Sequence, residues 1–257
     1  MVACPSEQHL TELEGAFNGL LANYNSTVAL TNRRTGGLGQ FSIDSALQER
    51  LFSNLVCGLA EGLSGPQIDT VGFNDNSIRE NPERFLRLFP DAKLIAIFRH
   101  PLCCAESAWE HNCRLAEQEN STEHTHIMRR FHDYDGWVRN ISQQFASTVA
   151  RFRDNMVDGD RLAYVKYEDL RTNTSKELGK LLQFLQCDPA NCNLAEVAWR
   201  NSFDRLKQKS PSPHFFRSGA LSYNKERISQ RLAEDVMRIA GDAMDFLQYP
   251  IASPALA

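Results

Sequence analysis

Three short apolar runs, each followed by a segment of different periodicity, decide what this chain can become. Ile68 to Phe73, Leu94 to Phe98 and Leu162 to Lys166 are five or six residues long and bounded by turn-forming or polar residues. Runs of that length read as buried strands. The segments after them carry apolar residues at helical spacing. One starts with Pro82 in its first turn and reaches Phe89, and a second opens at Pro101. A third spans Met128 to Met156, with Phe131, Trp137, Val138, Ile141, Phe145, Val149 and Phe152 on one side, and a fourth spans Ser175 to Leu185. Strands that alternate with helices specify an α/β chain, a parallel β-sheet flanked by helices. Two more helices precede this pattern, over residues 7–22 and over Ser42 to Leu63, the latter ended by Gly65-Pro66. Between them Ser26 to Leu30 reads as a short strand and Thr31 to Gly39 as a turn.

At 257 residues and 42% hydrophobic, the chain can bury one sizeable core, so residues 1–257 are expected to form a single domain with an atypical segment over 1–40. The formal net charge of −4 excludes a protein that coats nucleic acid, because no basic excess exists to neutralise a phosphate backbone. Any anion site must therefore be local. No apolar run approaches the roughly 18 residues of a membrane span, and the first residues lack a basic stretch followed by an apolar one. A cytoplasmic location is the expectation. Seven cysteines, an odd number without a CxxC pair, argue for reduced thiols over a disulfide framework or zinc site. His124, His126 and His132, near Asp133 and Asp135, invite a metal reading. Two histidines separated by one residue do not share a helical face, however, and the segment is as polar as a solvated loop, so no metal is expected.

Two distant stretches have the makings of one anion clamp. The Leu94 to Phe98 run ends in Arg99, with Ser107 eight residues further on, and Phe216 is followed by Arg217, Ser218 and Gly219. A guanidinium at the carboxyl end of a strand and a hydroxyl in the next helix can point at one phosphate. Gly219 would let backbone approach that phosphate closely.

With these residues in view, the chain resembles the sulfotransferases that use 3′-phosphoadenosine-5′-phosphosulfate (PAPS), in the cytosolic, tyrosylprotein and bacterial branches. Phe89-Pro90-Asp91-Ala92-Lys93 through Arg99-His100-Pro101 to Ser107 is similar to the family's strand, arginine and serine for the donor's 3′-phosphate. Tyr164-Val165-Lys166-Tyr167-Glu168-Asp169-Leu170 resembles its "YEDL" block, whose tyrosine lies near adenine. Asn201-Ser202-Phe203 resembles its "TSF" adenine block, and Phe216 to Gly219 with Lys225 resembles "RKGxxGDWK". The resemblance covers roughly residues 68–250. It implies a P-loop-like sulfotransferase fold, PAPS as co-substrate, and Arg99, Ser107, Tyr167, Ser202, Phe203, Arg217, Ser218 and Gly219 as donor-binding residues.

The chain departs from the family at two places. The family's N-terminal strand, Gly-rich hydroxyl loop and helix grip the 5′-phosphosulfate, whereas this chain offers only Arg34, Thr35 and Gly36 after the short strand, with Gly37 in place of a second hydroxyl. Relatives also have a lysine where Asn74 stands. Removing such a contact can cost about 3 kcal/mol of transition-state stabilisation. Asp75, at the end of the Ile68 strand, is the candidate base. Two functions follow: transfer of a sulfuryl group from PAPS to a hydroxyl or amine acceptor, or a catalytically impaired relative that binds PAPS, its product nucleotide or a partner protein. The sequence leaves the acceptor open among small molecules, glycans and proteins.

Overall fold

The computed structural model describes residues 2–3, 10–36, 42–63, 70–119, 130–131, 133–155, 159–209 and 221–250. They fall into two compact units, residues 1–92 and 93–257. The expectations for Gly37, for His124, His126 and His132, and for Arg217, Ser218 and Gly219 lie outside the described residues.

In the first unit β1 (Val2–Ala3) pairs in parallel with β2 (Thr70–Val71), Val2 opposite Thr70 and Ala3 opposite Val71. Three helices accompany them: α1 (Leu10–Arg34), α2 (Ser45–Leu63) and α3 (Pro82–Leu88). Leu10, Phe52 and Val56 form the core, with Phe17, Phe73, Ile78 and Phe85 packed around it. The helix starts are written in the sequence. The Asp44 carboxylate accepts the Leu47 N–H at 2.7 Å, so α2 begins three residues later than the apolar spacing suggested. The Asn81 side chain accepts the Arg84 N–H at 3.0 Å ahead of Pro82 in the first turn of α3.

The strand expected over Ser26 to Leu30 is corrected: those residues lie inside α1. Their apolar stretch is only three residues long, and their hydroxyls are satisfied by the helix itself. Ser26, Thr27, Thr31 and Thr35 each donate to the carbonyl four residues back, at 2.9, 3.1, 3.0 and 3.0 Å. Halfway along, Asn25 exchanges two 2.8 Å hydrogen bonds with the backbone of Ile43, which ties the helix to the segment before α2.

In the second unit β3 (Leu94–Phe98) and β4 (Leu162–Lys166) form a parallel pair in continuous register from Leu94 opposite Leu162 to Phe98 opposite Lys166. Leu94, Ala96 and Phe98 are buried, as strand alternation requires. Between the two strands run α4 (Pro101–Glu119) and α5 (Tyr134–Asn155). Asp133 starts α5 by accepting the Gly136 N–H. A Cβ at Gly136 would stand 2.9 Å from that carboxylate oxygen, so glycine is what lets the cap close. After β4 come α6 (Tyr167–Thr172), α7 (Thr174–Phe184), α8 (Leu194–Arg200), α9 (Phe203–Lys209) and α10 (Gln230–Phe246). Leu102 and Ala105 of α4, Trp137 and Val138 of α5, and Leu232 and Val236 of α10 make the core. The Trp137 Nε1–H donates to the Ala105 carbonyl at 2.8 Å, so the largest ring in that core leaves no buried donor unmet. Among the described residues no helix is long and apolar enough to cross a membrane.

Candidate functional site

Parallel pairing of β3 with β4 delivers two side chains to one place. Phe98 and Lys166 are the last register partners, so Arg99 and Tyr167 leave adjacent strand ends side by side, about 4.8 Å apart in the pairing direction. The Arg99 guanidinium lies over the Tyr167 ring, 5.0 Å from its centroid. Both are half-buried. Ser107, also half-buried, sits nearly two turns into α4, whose first residue is Pro101.

The adenine-type residues reach the same place through an arginine that the sequence reading did not single out. Arg171, one turn after Tyr167 on α6, stands 5.9 Å from the Tyr167 centroid and 4.8 Å from that of Phe203. Its Nη1 also donates to the Tyr167 hydroxyl at 3.4 Å. Phe203 opens α9, and the Ser202 carbonyl accepts the Leu206 N–H at 3.0 Å, placing Ser202 where an N-cap belongs. The Lys207 ammonium also lies over the Phe203 ring, 6.0 Å from its centroid. Arg99, Tyr167, Arg171, Phe203 and Lys207 thus form a chain of alternating cations and rings. Such a surface can hold phosphates by charge and a flat base by stacking.

Glu168 fixes the corner behind it. One carboxylate oxygen accepts the His100 backbone N–H at 3.0 Å, and the other accepts from the Tyr249 hydroxyl at 3.0 Å. That hydroxyl also lies 2.9 Å from the Phe98 carbonyl, so the C-terminal Tyr249 is stitched to the end of β3. His100 packs flat on Tyr223 and edge-on to Tyr249, with ring centroids 5.4 and 5.5 Å apart. Burial lowers the His100 pKa from its ordinary value, against the pull of Glu168. Burial first, then the Glu168 charge, pushes the Tyr249 hydroxyl far up, which keeps it a neutral donor. Cys103 and Cys104 are pushed up by burial to about 11, with Arg99 opposing, so neither thiol is an activated nucleophile. Glu168 was visible in the sequence only as a letter in the "YEDL" block. Tyr249 had no local signal at all.

The first unit holds the remaining candidates. Arg34 is the last residue of α1, with Thr35 and the left-handed Gly36 (φ +67°) in the turn after it. They close a helix rather than join a strand to one. A strand precedes α1 instead, at β1, whose two residues are too few to register as a run. Asn74 is exposed. The Asp75 carboxylate accepts the N–H of Leu10, the first residue of α1, at 2.5 Å, so it serves as an anionic cap supplied from 65 residues away.

The sulfotransferase domain family matches residues 79–248, about two thirds of the sequence, and the chain belongs to that family. The match begins in the first unit and runs through the second. Two solved structures are similar over 75% of this chain. The sulfotransferase domain from the curacin biosynthetic pathway is 18% identical, with 67% of its length covered and a TM-score of 0.44. The sulfotransferase domain from the Synechococcus PCC 7002 olefin synthase is 21% identical, with 63% covered and a TM-score of 0.42. No curated protein is a significant match.

Proposed function

We propose that the chain binds PAPS and transfers its sulfuryl group to a hydroxyl or amine acceptor. The observation that carries this reading is the stacking of Arg99 on Tyr167 at the carboxyl ends of β3 and β4, inside the span matched by the family. Carboxyl ends of parallel strands are where such folds take their ligands. Arg99 and Ser107 hold the donor's 3′-phosphate, joined by Arg217, Ser218 and Gly219. Tyr167, Ser202 and Phe203 receive the adenine. An Arg fork suits a phosphate through paired charge-assisted hydrogen bonds, and a ring face suits a purine.

In the transfer step the acceptor oxygen or nitrogen forms a bond to sulfur as the bond from sulfur to the bridging 5′-phosphate oxygen breaks. Adenosine 3′,5′-bisphosphate leaves, and the acceptor proton passes to a base. Asp75 is the proposed base. No metal is required, because the sulfuryl group carries less charge than a phosphoryl group.

One observation favours a second reading, binding with impaired transfer: the Asp75 oxygen that would take the proton already accepts the Leu10 N–H. Two measurements separate the readings. Calorimetric titration with adenosine 3′,5′-bisphosphate reports the donor site, and turnover of radiolabelled PAPS with a panel of phenols, alcohols and amines reports transfer. Binding with turnover that Asp75→Asn abolishes supports the enzyme; binding without turnover supports the impaired relative; no binding removes both.

A further inference from the structure

We infer that Arg171 is a gate on the aromatic slot between Tyr167 and Phe203: its guanidinium stands against both rings, and a purine enters by displacing it. This rests on the nucleotide reading above and adds to it a residue that sets which ligands are admitted. The geometry is specific. Arg171 reaches the two rings at 5.9 and 4.8 Å and donates to the Tyr167 hydroxyl at 3.4 Å. Among the described residues these are its partners, and none of them is a carboxylate. The side chain is therefore held by two π-faces and one weak hydrogen bond, contacts that a stacked base offers equally well.

A flat, delocalised cation is a good stand-in for a base, since a planar π-system can take up the same ring contacts. Its bonds are also weak enough to release. Once displaced, the guanidinium remains one turn of α6 from Tyr167 and carries its charge at the rim of the site. The slot thereby discriminates: a ligand with a base gains the stacking that offsets the loss of Arg171, whereas a sugar phosphate without one has nothing with which to replace it.

The test compares the wild-type chain with Arg171→Ala and Arg171→Lys, using adenosine 3′,5′-bisphosphate and ribose 5-phosphate as probes in calorimetric titrations. The gate predicts that Arg171→Ala binds the bisphosphate about fivefold more tightly, the scale of one exposed guanidinium–ring contact, while ribose 5-phosphate affinity does not rise. Arg171→Lys, which keeps charge but not the planar stack, falls between them. If Arg171→Ala weakens the bisphosphate or leaves it unchanged while the wild type binds it, the gate is overturned and the nucleotide reading stands. If Arg171→Ala tightens both probes alike, Arg171 acts on phosphate access and the gate is again overturned. If no chain binds the bisphosphate, emptying the slot admits no base, and the gate falls together with the nucleotide reading.

Discussion

Arg84 in the first unit and Arg171 in the second are the same side chain put to opposite uses. The Arg84 guanidinium is forked onto Glu14, with one bond at 2.8 Å and a second still shorter, and its Nε is 3.4 Å from Glu49. Glu49 also takes Arg87 at 3.0 Å. The hydrogen bond to Glu14 leads the interactions that raise the Arg84 pKa, so its charge is spent on joining α1, α2 and α3. Arg171 sits on rings, and its charge stays available. Arg84 is thus committed to carboxylates and Arg171 to aromatic faces. The sequence shows both as equally exposed-looking basic residues.

The largest effect that could break this contrast is at Arg99. Arg99→Ala is expected to weaken adenosine 3′,5′-bisphosphate by roughly 10- to 100-fold, the worth of a charge-assisted phosphate contact, with little change in unfolding midpoint. Arg84→Ala should do the reverse. It is expected to cost about 1–2 kcal/mol in urea denaturation, because it strands the half-buried Glu14 carboxylate and leaves Glu49 to Arg87 alone, and to leave nucleotide affinity unchanged. Equal effects of the two variants on both measurements would erase the distinction.

Glu168 lies between the extremes, since it touches structure and the site corner together. Glu168→Ala leaves the His100 N–H without its acceptor and the Tyr249 hydroxyl with the Phe98 carbonyl alone, and is expected to cost about 1–3 kcal/mol of stability and several-fold in nucleotide affinity. Tyr249→Phe, which keeps the ring, should cost about 1 kcal/mol.

The smallest effect is a pH dependence. Burial lowers the His100 pKa below its ordinary value of 6.5, so the unfolded chain binds that proton more readily than the folded one. Stability from this group is complete above pH 6.5 and is lost as pH falls below 6.5 toward the lowered folded value. Denaturation midpoints between pH 7.5 and 5 should fall, and His100→Asn should flatten that part of the curve.

The carboxyl-end corner was legible because its signals are local. Leu94 to Phe98 and Leu162 to Lys166 have the length, apolar content and following polar residues that mark buried parallel strands, and the structure keeps both boundaries. The helix starts at Pro82 and Pro101 were legible outright, and where the apolar spacing overshot at Ser42, Asp44 explains the true start. The strand before Arg34 was misread because a run of hydroxyl and apolar residues, Ser26 to Leu30, fits a strand and a back-bonded helix equally well in one dimension. The strand that does precede α1, Val2–Ala3, is too short to carry a period. Arg171 and Tyr249 were invisible for a different reason. Their roles come from partners 32 and 81 residues away, Phe203 and Glu168, and no pattern within either segment announces them.

The central claim is that Arg99, stacked on Tyr167 where β3 and β4 end, reads a 3′-phosphate on an adenine nucleotide. The direct measurement is the ratio of affinities for adenosine 3′,5′-bisphosphate and adenosine 5′-monophosphate, taken on the wild-type chain and on Arg99→Ala. The account predicts a preference for the bisphosphate of about 10-fold or more in the wild type that shrinks toward unity in Arg99→Ala. Equal affinity for the two nucleotides in the wild type, or a preference that survives Arg99→Ala intact, would contradict it.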